Sequence, residues 1–182
     1  MPQAVTHILI PIIILSLFRD MVFKGKKREK FPLHYVLIGG LAGLIPDLDV
    51  AAYYVLSFFG FTLNEIHRTF SHNIFVVLIF VILGLIFMYS GFKNKGLGRH
   101  HLKLHNIFFV ISFGFFVHLL LDYLVAGQIM PLYPFIRVGI GLNLISIFPD
   151  AWQDSIIPSI DAILLMLWLV YLELKHKISD FI

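Results

Sequence analysis

Residues 73–91 read NIFVVLIFVILGLIFMYSG, a run without one ionisable side chain. An α-helix needs about 20 apolar residues to cross the hydrocarbon core of a bilayer. The run lacks the alternation of apolar and polar residues that marks a transmembrane β-strand. This stretch therefore predicts a membrane-spanning helix, and the rest of the chain follows the same pattern.

The whole chain has the composition of a protein that is embedded in lipid. Of its 182 residues, 59% are hydrophobic and 14% are charged, and the mean hydropathy is +0.89. Soluble domains carry about 25% charged residues, so this chain has too few polar groups to cover a water-facing surface. The absence of cysteine excludes disulfides and thiolate metal ligands. The net charge of +3 is small and lies in a few loops, which indicates membrane orientation rather than nucleic-acid binding.

Five apolar stretches have the length and composition of membrane-spanning helices. We predict one all-α integral membrane domain over residues 1–182, a helical bundle of about five transmembrane helices. The start of the chain lacks a basic region and a cleavage site, so no cleaved signal peptide is expected. The predicted spans are Ala4 to Phe23, Leu33 to Pro46 resuming from Val50 to Phe61, Asn73 to Gly91, Asn106 to Ala126, and Ile156 to Leu174.

Lysine and arginine are unevenly divided between the two sets of loops. The loops at 24–30 and 93–103 are rich in these cations, whereas the long segment 127–155 holds only Arg137. Basic loops remain in the cytoplasm. We therefore predict a multi-pass protein of the cell membrane with its N-terminus outside and its C-terminus in the cytoplasm.

Several histidines and aspartates lie within these spans or at their ends, where ionisable groups are costly and by default mark a function. Counted from the predicted cytoplasmic ends at 1.5 Å per residue, those that can be placed lie at about 18 to 28 Å, in the outer half of the membrane. Polar residues scattered for structural reasons need not agree in depth, so we predict one shared site. The predicted metal ligands are His7, Asp47, His67, His72, His118, Asp122 and Asp161, and the predicted catalytic residues are Asp49 and Arg68.

Local spacing supports a shared metal site. His118 and Asp122 are four residues apart and share one helix face. Pro46 interrupts the second span beside Asp47, and a break at membrane depth is tolerated where it lines a cavity or is buried in protein. The sequence HRTFSH at 67–72 places two imidazoles and a guanidinium close together. Histidine and aspartate donors without cysteine suit a divalent ion, for which we predict Zn²⁺, with Mn²⁺ or Fe²⁺ as alternatives.

Simpler roles stay open for single residues and for the whole cluster. Asp47 could cap a helix, and Asp161 could serve the helix dipole in a first turn. An ion or metal transporter is one alternative function, although the sequence has no inverted repeat and no matching polar residues in the inner half of the spans. A non-catalytic membrane scaffold, in which the cluster only holds helices together, is the other.

The order of these motifs resembles a known family. The membrane-bound, metal-dependent hydrolases are also called LexA-binding, inner membrane-associated hydrolases, and they are distantly similar to zinc-dependent phospholipases C. The resemblance covers most of the chain and implies a helical metal site and phosphoester hydrolysis. The matching motifs are His7, PDLD at 46–49, HRTFSH at 67–72, and the pair His118 and Asp122.

These patterns together predict a membrane-bound, metal-dependent hydrolase that acts on a phosphoester of a lipid or lipid-linked substrate. Asp49 is expected to be the general base or a further metal ligand. Arg68 carries a planar guanidinium suited to a phosphate, and is expected to stabilise its charge. A site in the outer half of the membrane can be reached sideways by lipids, which are the expected partners.

Overall fold

The computed structural model describes residues 4–23, 29–67, 71–90, 96–97 and 102–177. These residues are predominantly helical and contain almost no strand, which confirms the all-α prediction. The described strands are β1 (Gly96–Leu97) and β2 (Leu102–Lys103), which pair antiparallel. The described α-helices are α1 (Ala4–Val22), α2 (Leu33–Ala42), α3 (Leu48–Leu56), α4 (Leu63–Ile66), α5 (Ile74–Tyr89), α6 (Leu104–Leu121) and α7 (Asp150–His176).

Within the described residues, three helices are long and apolar enough to cross a membrane. They are Ala4–Val22 with 19 residues, Leu104–Val125 with 22 and Asp150–Lys175 with 26. Even the shortest extends about 28 Å, close to the thickness of the hydrocarbon core. The prediction of a membrane protein is supported. The count of about five spans is not confirmed, because α2, α3 and α5 are shorter apolar helices.

The predicted second span forms two short helices joined by a tight turn. α2 ends at Ala42 and α3 begins at Leu48. Through the turn, backbone amides donate to carbonyls three residues earlier, as from Leu44 N to Leu41 O. The turn thereby satisfies its own backbone groups, as non-helical chain at membrane depth requires. α3 buries none of its residues, so little protein surrounds it.

Small residues let α6 approach its neighbours closely. α6 packs against α1, α2 and α5. A Cβ atom added to Gly114 of α6 would collide with the backbone carbonyl of Gly39 in α2, and one added to Gly43 would collide with the carbonyl of His7 in α1. Glycine at such crossings permits backbone contact between membrane helices. The start of α1, the end of α2 and the end of α6 are thereby held together.

Contacts at two levels give the directions of α1 and α6. The ring of His7 stacks on that of His118, and Leu15 packs in the same cluster as Val110. Residue numbers rise along one helix as they fall along the other, so the two helices are antiparallel. The start of α1 and the end of α6 therefore mark one end of the bundle, which we call the cluster end.

α7 runs parallel to α1 and is attached to it at two levels. Thr6 Oγ1 donates a hydrogen bond to Asp161 Oδ1, and Tyr171 Oη donates one to Asp20 Oδ2 at 2.7 Å. Lys175 Nζ lies 3.7 Å from the same Asp20 carboxylate. Most of the remaining α7 surface is exposed and apolar, as expected of a helix that faces lipid.

Candidate metal centre

Ionisable side chains from four parts of the chain meet at the cluster end. His7 comes from α1, Asp47 from the turn after α2, His72 from the bend before α5, and His118 and Asp122 from the end of α6. The three histidines are at most 1% exposed and Asp122 is 3% exposed. Burying such groups is costly unless they are paired or coordinate a metal. The convergence anticipated from their depth is therefore present in the fold.

The distances within this group are those of side chains around a shared centre. His72 Nε2 and His118 Nε2 are 3.1 Å apart. Asp122 Oδ2 lies 3.3 Å from the first of these nitrogens and 3.6 Å from the second. Asp47 Oδ1 lies 3.7 Å and 3.6 Å from the same two atoms. His7 Nε2 lies 3.6 Å from Asp122 Oδ1, which adds a third imidazole to the edge of the group.

The orientation of His118 is fixed by the backbone of α2. Its Nδ1 donates a hydrogen bond to the carbonyl oxygen of Gly43 over 2.7 Å. A neutral imidazole that donates through Nδ1 presents a lone pair at Nε2. Metal-binding histidines commonly make such a bond through their second nitrogen. The atom of His118 that faces the shared centre is therefore an acceptor.

Asp49 lies behind the histidines of the HRTFSH motif. Its Oδ1 is 2.8 Å from His67 Nδ1, and its Oδ2 is 3.2 Å from His72 Nδ1. Ser71 Oγ donates to Asp49 Oδ2 over 2.5 Å and lies 2.9 Å from His72 Nδ1. Both rings thus turn their Nδ1 atoms towards one carboxylate, which leaves their Nε2 atoms for a ligand role.

The donor atoms fit a divalent cation. With His72 donating through Nδ1, its Nε2 and that of His118 present lone pairs to each other, beside the carboxylates of Asp47 and Asp122. With both rings neutral, none of these four groups turns a donor into the space between them, and a divalent cation there would satisfy all four. His67 Nε2 is also buried without a hydrogen-bond partner among the described residues.

Among the residues that the structure describes, three overlapping groups of side chains could hold a metal ion, each with donor atoms within 4.8 Å of one another. Because the groups share members, the six residues suit one ion or two neighbouring ions. Nitrogen and carboxylate donors of this kind serve zinc, manganese and iron. The groups are His7 with Asp47 and His118, Asp47 with His67 and His72, and His72 with His118 and Asp122.

Two of the predicted site residues that the structure describes, Asp49 and Asp161, are not part of these groups. Asp161 is absent from all three, and its Oδ1 instead accepts the hydrogen bond from Thr6, the residue before His7. Its Oδ2 is buried without a hydrogen-bond partner among the described residues. Arg68 lies outside the residues that the structure describes, so its predicted role stays a prediction.

Two of the groups that orient the histidines, Ser71 and Gly43, were not among the predicted site residues. Ser71 lies inside a motif that was singled out, but for its histidines and arginine rather than its hydroxyl. Gly43 contributes a carbonyl oxygen, which every residue has. Together with Gly39 and Gly40 it forms a set of small residues in the second apolar run, a pattern that allows helices to approach closely.

Comparison with known proteins gives one match. The model of a protein family described as YdjM inner membrane protein matches residues 1–177. The chain matches no curated protein and no solved structure.

Proposed function

We propose that this chain, which belongs to the YdjM inner membrane protein family, is a membrane-bound, metal-dependent hydrolase of a phosphoester on a lipid or lipid-linked substrate. The observation that supports the proposal most is the 3.1 Å approach of His72 Nε2 and His118 Nε2 between the carboxylates of Asp47 and Asp122. A purely structural polar cluster pairs donors with acceptors. With both imidazoles neutral, this one gathers lone pairs around a common point, as a cation site requires.

Six side chains would hold the metal, as one ion or two. A divalent ion bound there would supply Lewis acidity to a phosphoryl oxygen and activate water at neutral pH. We favour Zn²⁺, with Mn²⁺ or Fe²⁺ as alternatives, on the basis of the donor types. The proposed ligands are His7, Asp47, His67, His72, His118 and Asp122.

Asp49 would accept a proton from the attacking water and would also orient the imidazoles of His67 and His72. A carboxylate offers about four lone-pair sites. His67, Ser71 and His72 all lie against Asp49, which places its carboxylate directly beside the proposed metal ligands. Arg68 follows His67 in the chain, and its guanidinium would bind the phosphate oxygens of the substrate as a planar fork.

The surroundings of the cluster end favour a substrate that arrives through the membrane. Large apolar side chains are exposed on the two segments that flank the site in sequence, including Phe58 at 89% and Phe135 at 80%. The first segment begins beside Asp49 and the second follows Asp122. A hydrocarbon environment at both segments suits a lipid-linked phosphoester better than a water-soluble one.

Metal analysis combined with a lipid assay tests the proposal. Purified protein is expected to hold about one or two divalent ions per chain, and the double variant His72→Ala with His118→Ala to lose them. His34→Ala is the matched control, because His34 is exposed and takes part in none of the three groups. Metal-loaded wild type is then incubated with phospholipids and polyprenyl phosphates, and released phosphate or headgroup is measured.

Three results would overturn parts of this assignment. Stoichiometric metal in the double variant would place the ion elsewhere. Protein that binds no divalent ion under any loading condition would favour the scaffold. If metal-loaded protein cleaves an ester or amide but no phosphoester, the metal centre stands and the assignment of a phosphoester substrate is wrong.

A further inference from the structure

An apolar groove opens on the bundle between α1 and α6. Its volume is about 310 Å³. An apolar cavity of about 150 Å³ stays dry and binds benzene, so this groove has room for roughly twice as much hydrocarbon. Its lining, which contains no polar side chain, consists of Ile14, Leu15, Phe18, Phe31, Phe109, Val110 and Phe113. We call these seven residues the apolar groove.

The groove lies at the same distance from the metal centre along both helices that form it. On α1, Leu15 follows His7 by eight residues, and on α6, Val110 precedes His118 by eight residues. Eight residues of helix correspond to about 12 Å. Because the two helices are antiparallel, both separations run in the same direction, from the cluster end towards the middle of the bundle.

One stripe of α1 connects the two regions. His7, Ile14 and Phe18 recur at spacings of seven and four residues and therefore lie on one helix face. The face is closed at His7, which is 1% exposed, and open at Ile14 and Phe18, which are 42% and 43% exposed. The buried side chains of Leu15 and Val110 form the floor below this opening. The groove is thus accessible from the lipid side of the bundle.

We propose that the apolar groove binds the hydrocarbon chain of the lipid whose phosphoester lies at the metal centre. This inference rests on the proposed function and makes it more specific. A lipid carries its phosphate at one end and its chains below it, and the fold provides polar donors at the cluster end with an apolar recess about 12 Å below them. Lipid tails gain no hydrophobic energy on moving from bilayer to groove, so shape and aromatic contact select the chain.

Photolabelling measures occupancy of the groove without requiring turnover. The full chain is placed in phosphatidylglycerol vesicles that contain phosphatidylglycerol with a photoreactive diazirine in the middle of one acyl chain. Ile14→Trp narrows the mouth of the groove. Leu17→Trp is the matched control, since Leu17 is on the same helix, is 44% exposed and does not line the groove. We expect labelling of the peptide spanning residues 104–121 to fall about tenfold in Ile14→Trp and to be unchanged in the control.

Equal labelling in both variants would mean that only annular lipid is present, and would overturn the inference. Phe113→Ala, which enlarges the groove instead of filling it, is a second variant and should shift the labelled positions within the same peptide. Chain length separates this inference from the proposed function. If the rate of hydrolysis does not depend on acyl-chain length in wild type or in Ile14→Trp, the role of the groove is wrong and the proposed hydrolase activity stands. If the groove is labelled but no phosphoester is hydrolysed, the proposed hydrolase activity is wrong and the protein binds lipid without cleaving it.

Discussion

At the scale of single residues, the metal centre depends on atoms that orient ligands as much as on the ligands. Gly43 fixes His118 through a carbonyl oxygen, while Ser71 and Asp49 fix His72 through oxygen atoms near its Nδ1. Hydrogen bonds to the second nitrogen of a metal-binding histidine determine its tautomer and ring angle. These contacts orient two of the three imidazoles so that their Nε2 atoms face each other across the shared centre.

Removing the Ser71 hydroxyl should weaken metal binding without removing a ligand. Ser71→Ala leaves Asp49 and His72 in place but deletes the donor that joins them. Loss of such an orienting bond typically lowers metal affinity about 10- to 100-fold. The dissociation constant is measured by competition with a chelator. Ser159→Ala is the control and should match wild type, because the Ser159 hydroxyl donates to the Ser155 carbonyl within its own exposed helix turn.

Substitution of Asp161 tests whether this residue is a metal ligand. The sequence predicts a ligand, whereas the described contacts join its carboxylate to Thr6. Asp161→Asn keeps an oxygen that can accept from the Thr6 hydroxyl. We therefore expect the variant to retain metal, in contrast to Asp122→Asn. If Asp161→Asn loses the ion as Asp122→Asn does, the ligand role predicted from the sequence is correct.

At the scale of secondary-structure elements, the position of the site follows from tight helix crossings. Gly114 brings α6 against α2, and Gly43 brings the end of α2 against α1. Three elements that carry cluster residues thus meet through backbone contacts, which leave little room for adjustment. Gly84 of α5 has a different neighbour, because a Cβ atom there would meet only the ring of Phe109.

Substitution of glycine by alanine should distinguish the backbone contact at Gly114 from the side-chain contact at Gly84. Gly114→Ala forces α6 away from the Gly39 carbonyl, and overpacking of this kind typically costs about 1–3 kcal/mol. The displacement should also lower metal content, because His118 lies one turn further along the same helix. Gly84→Ala is the control, since a side-chain ring can move aside. Thermal unfolding in detergent and metal analysis are measured together; equal losses in both variants would contradict this account.

The pattern of success in predicting elements has a physical basis. The start of α1 was correct at Ala4, because an apolar run of sufficient length makes a helix in lipid wherever it lies. The second apolar run was predicted as one interrupted span, yet it forms α2 and α3. Composition near Pro46 reveals that a helix breaks, but the direction in which the chain continues depends on packing that one sequence does not display.

The six cluster residues were predictable for a different reason. The similar depth of five of them, the place of His67 in the HRTFSH motif, and the spacing of His118 and Asp122 are properties of the sequence alone. The contact of Asp161 with Thr6 was not predictable, because it depends on α7 lying beside α1. Depth places a residue along the membrane normal and says nothing about its neighbours around the bundle.

At the scale of the whole molecule, charge is distributed unequally between the two ends of the bundle. Among the described residues, five of the lysines and arginines lie at the end opposite the metal centre, where α1 ends and α6 begins, and one lies in the segment between α6 and α7 at the cluster end. The first group comprises Arg19, Lys30, Lys103, Lys175 and Lys177, and the remaining residue is Arg137.

This asymmetry leads to a prediction about orientation. Basic ends of membrane proteins remain in the cytoplasm, so the metal centre should lie towards the outer side of the membrane. Reporter enzymes fused after residue 30 and after residue 177 should report a cytoplasmic position, and one inserted at Gly139 should report the outer side. The insertion at Gly139 and the fusion at 177 serve as internal controls for each other. Reporters that give the opposite pattern would place the centre at the cytoplasmic side.

The parallel attachment of α7 to α1 also has a consequence for the order in which the protein is made. All six cluster residues lie between His7 and Asp122, so the ribosome has polymerised every one of them before it reaches α7. Chains are synthesised from the N-terminus, and earlier segments can assemble first. The last helix then docks along the first through Asp161 and Tyr171, beside a centre to which it adds none of the six residues. During synthesis, all six cluster residues are therefore in place in the chain before α7 is available to pack against α1.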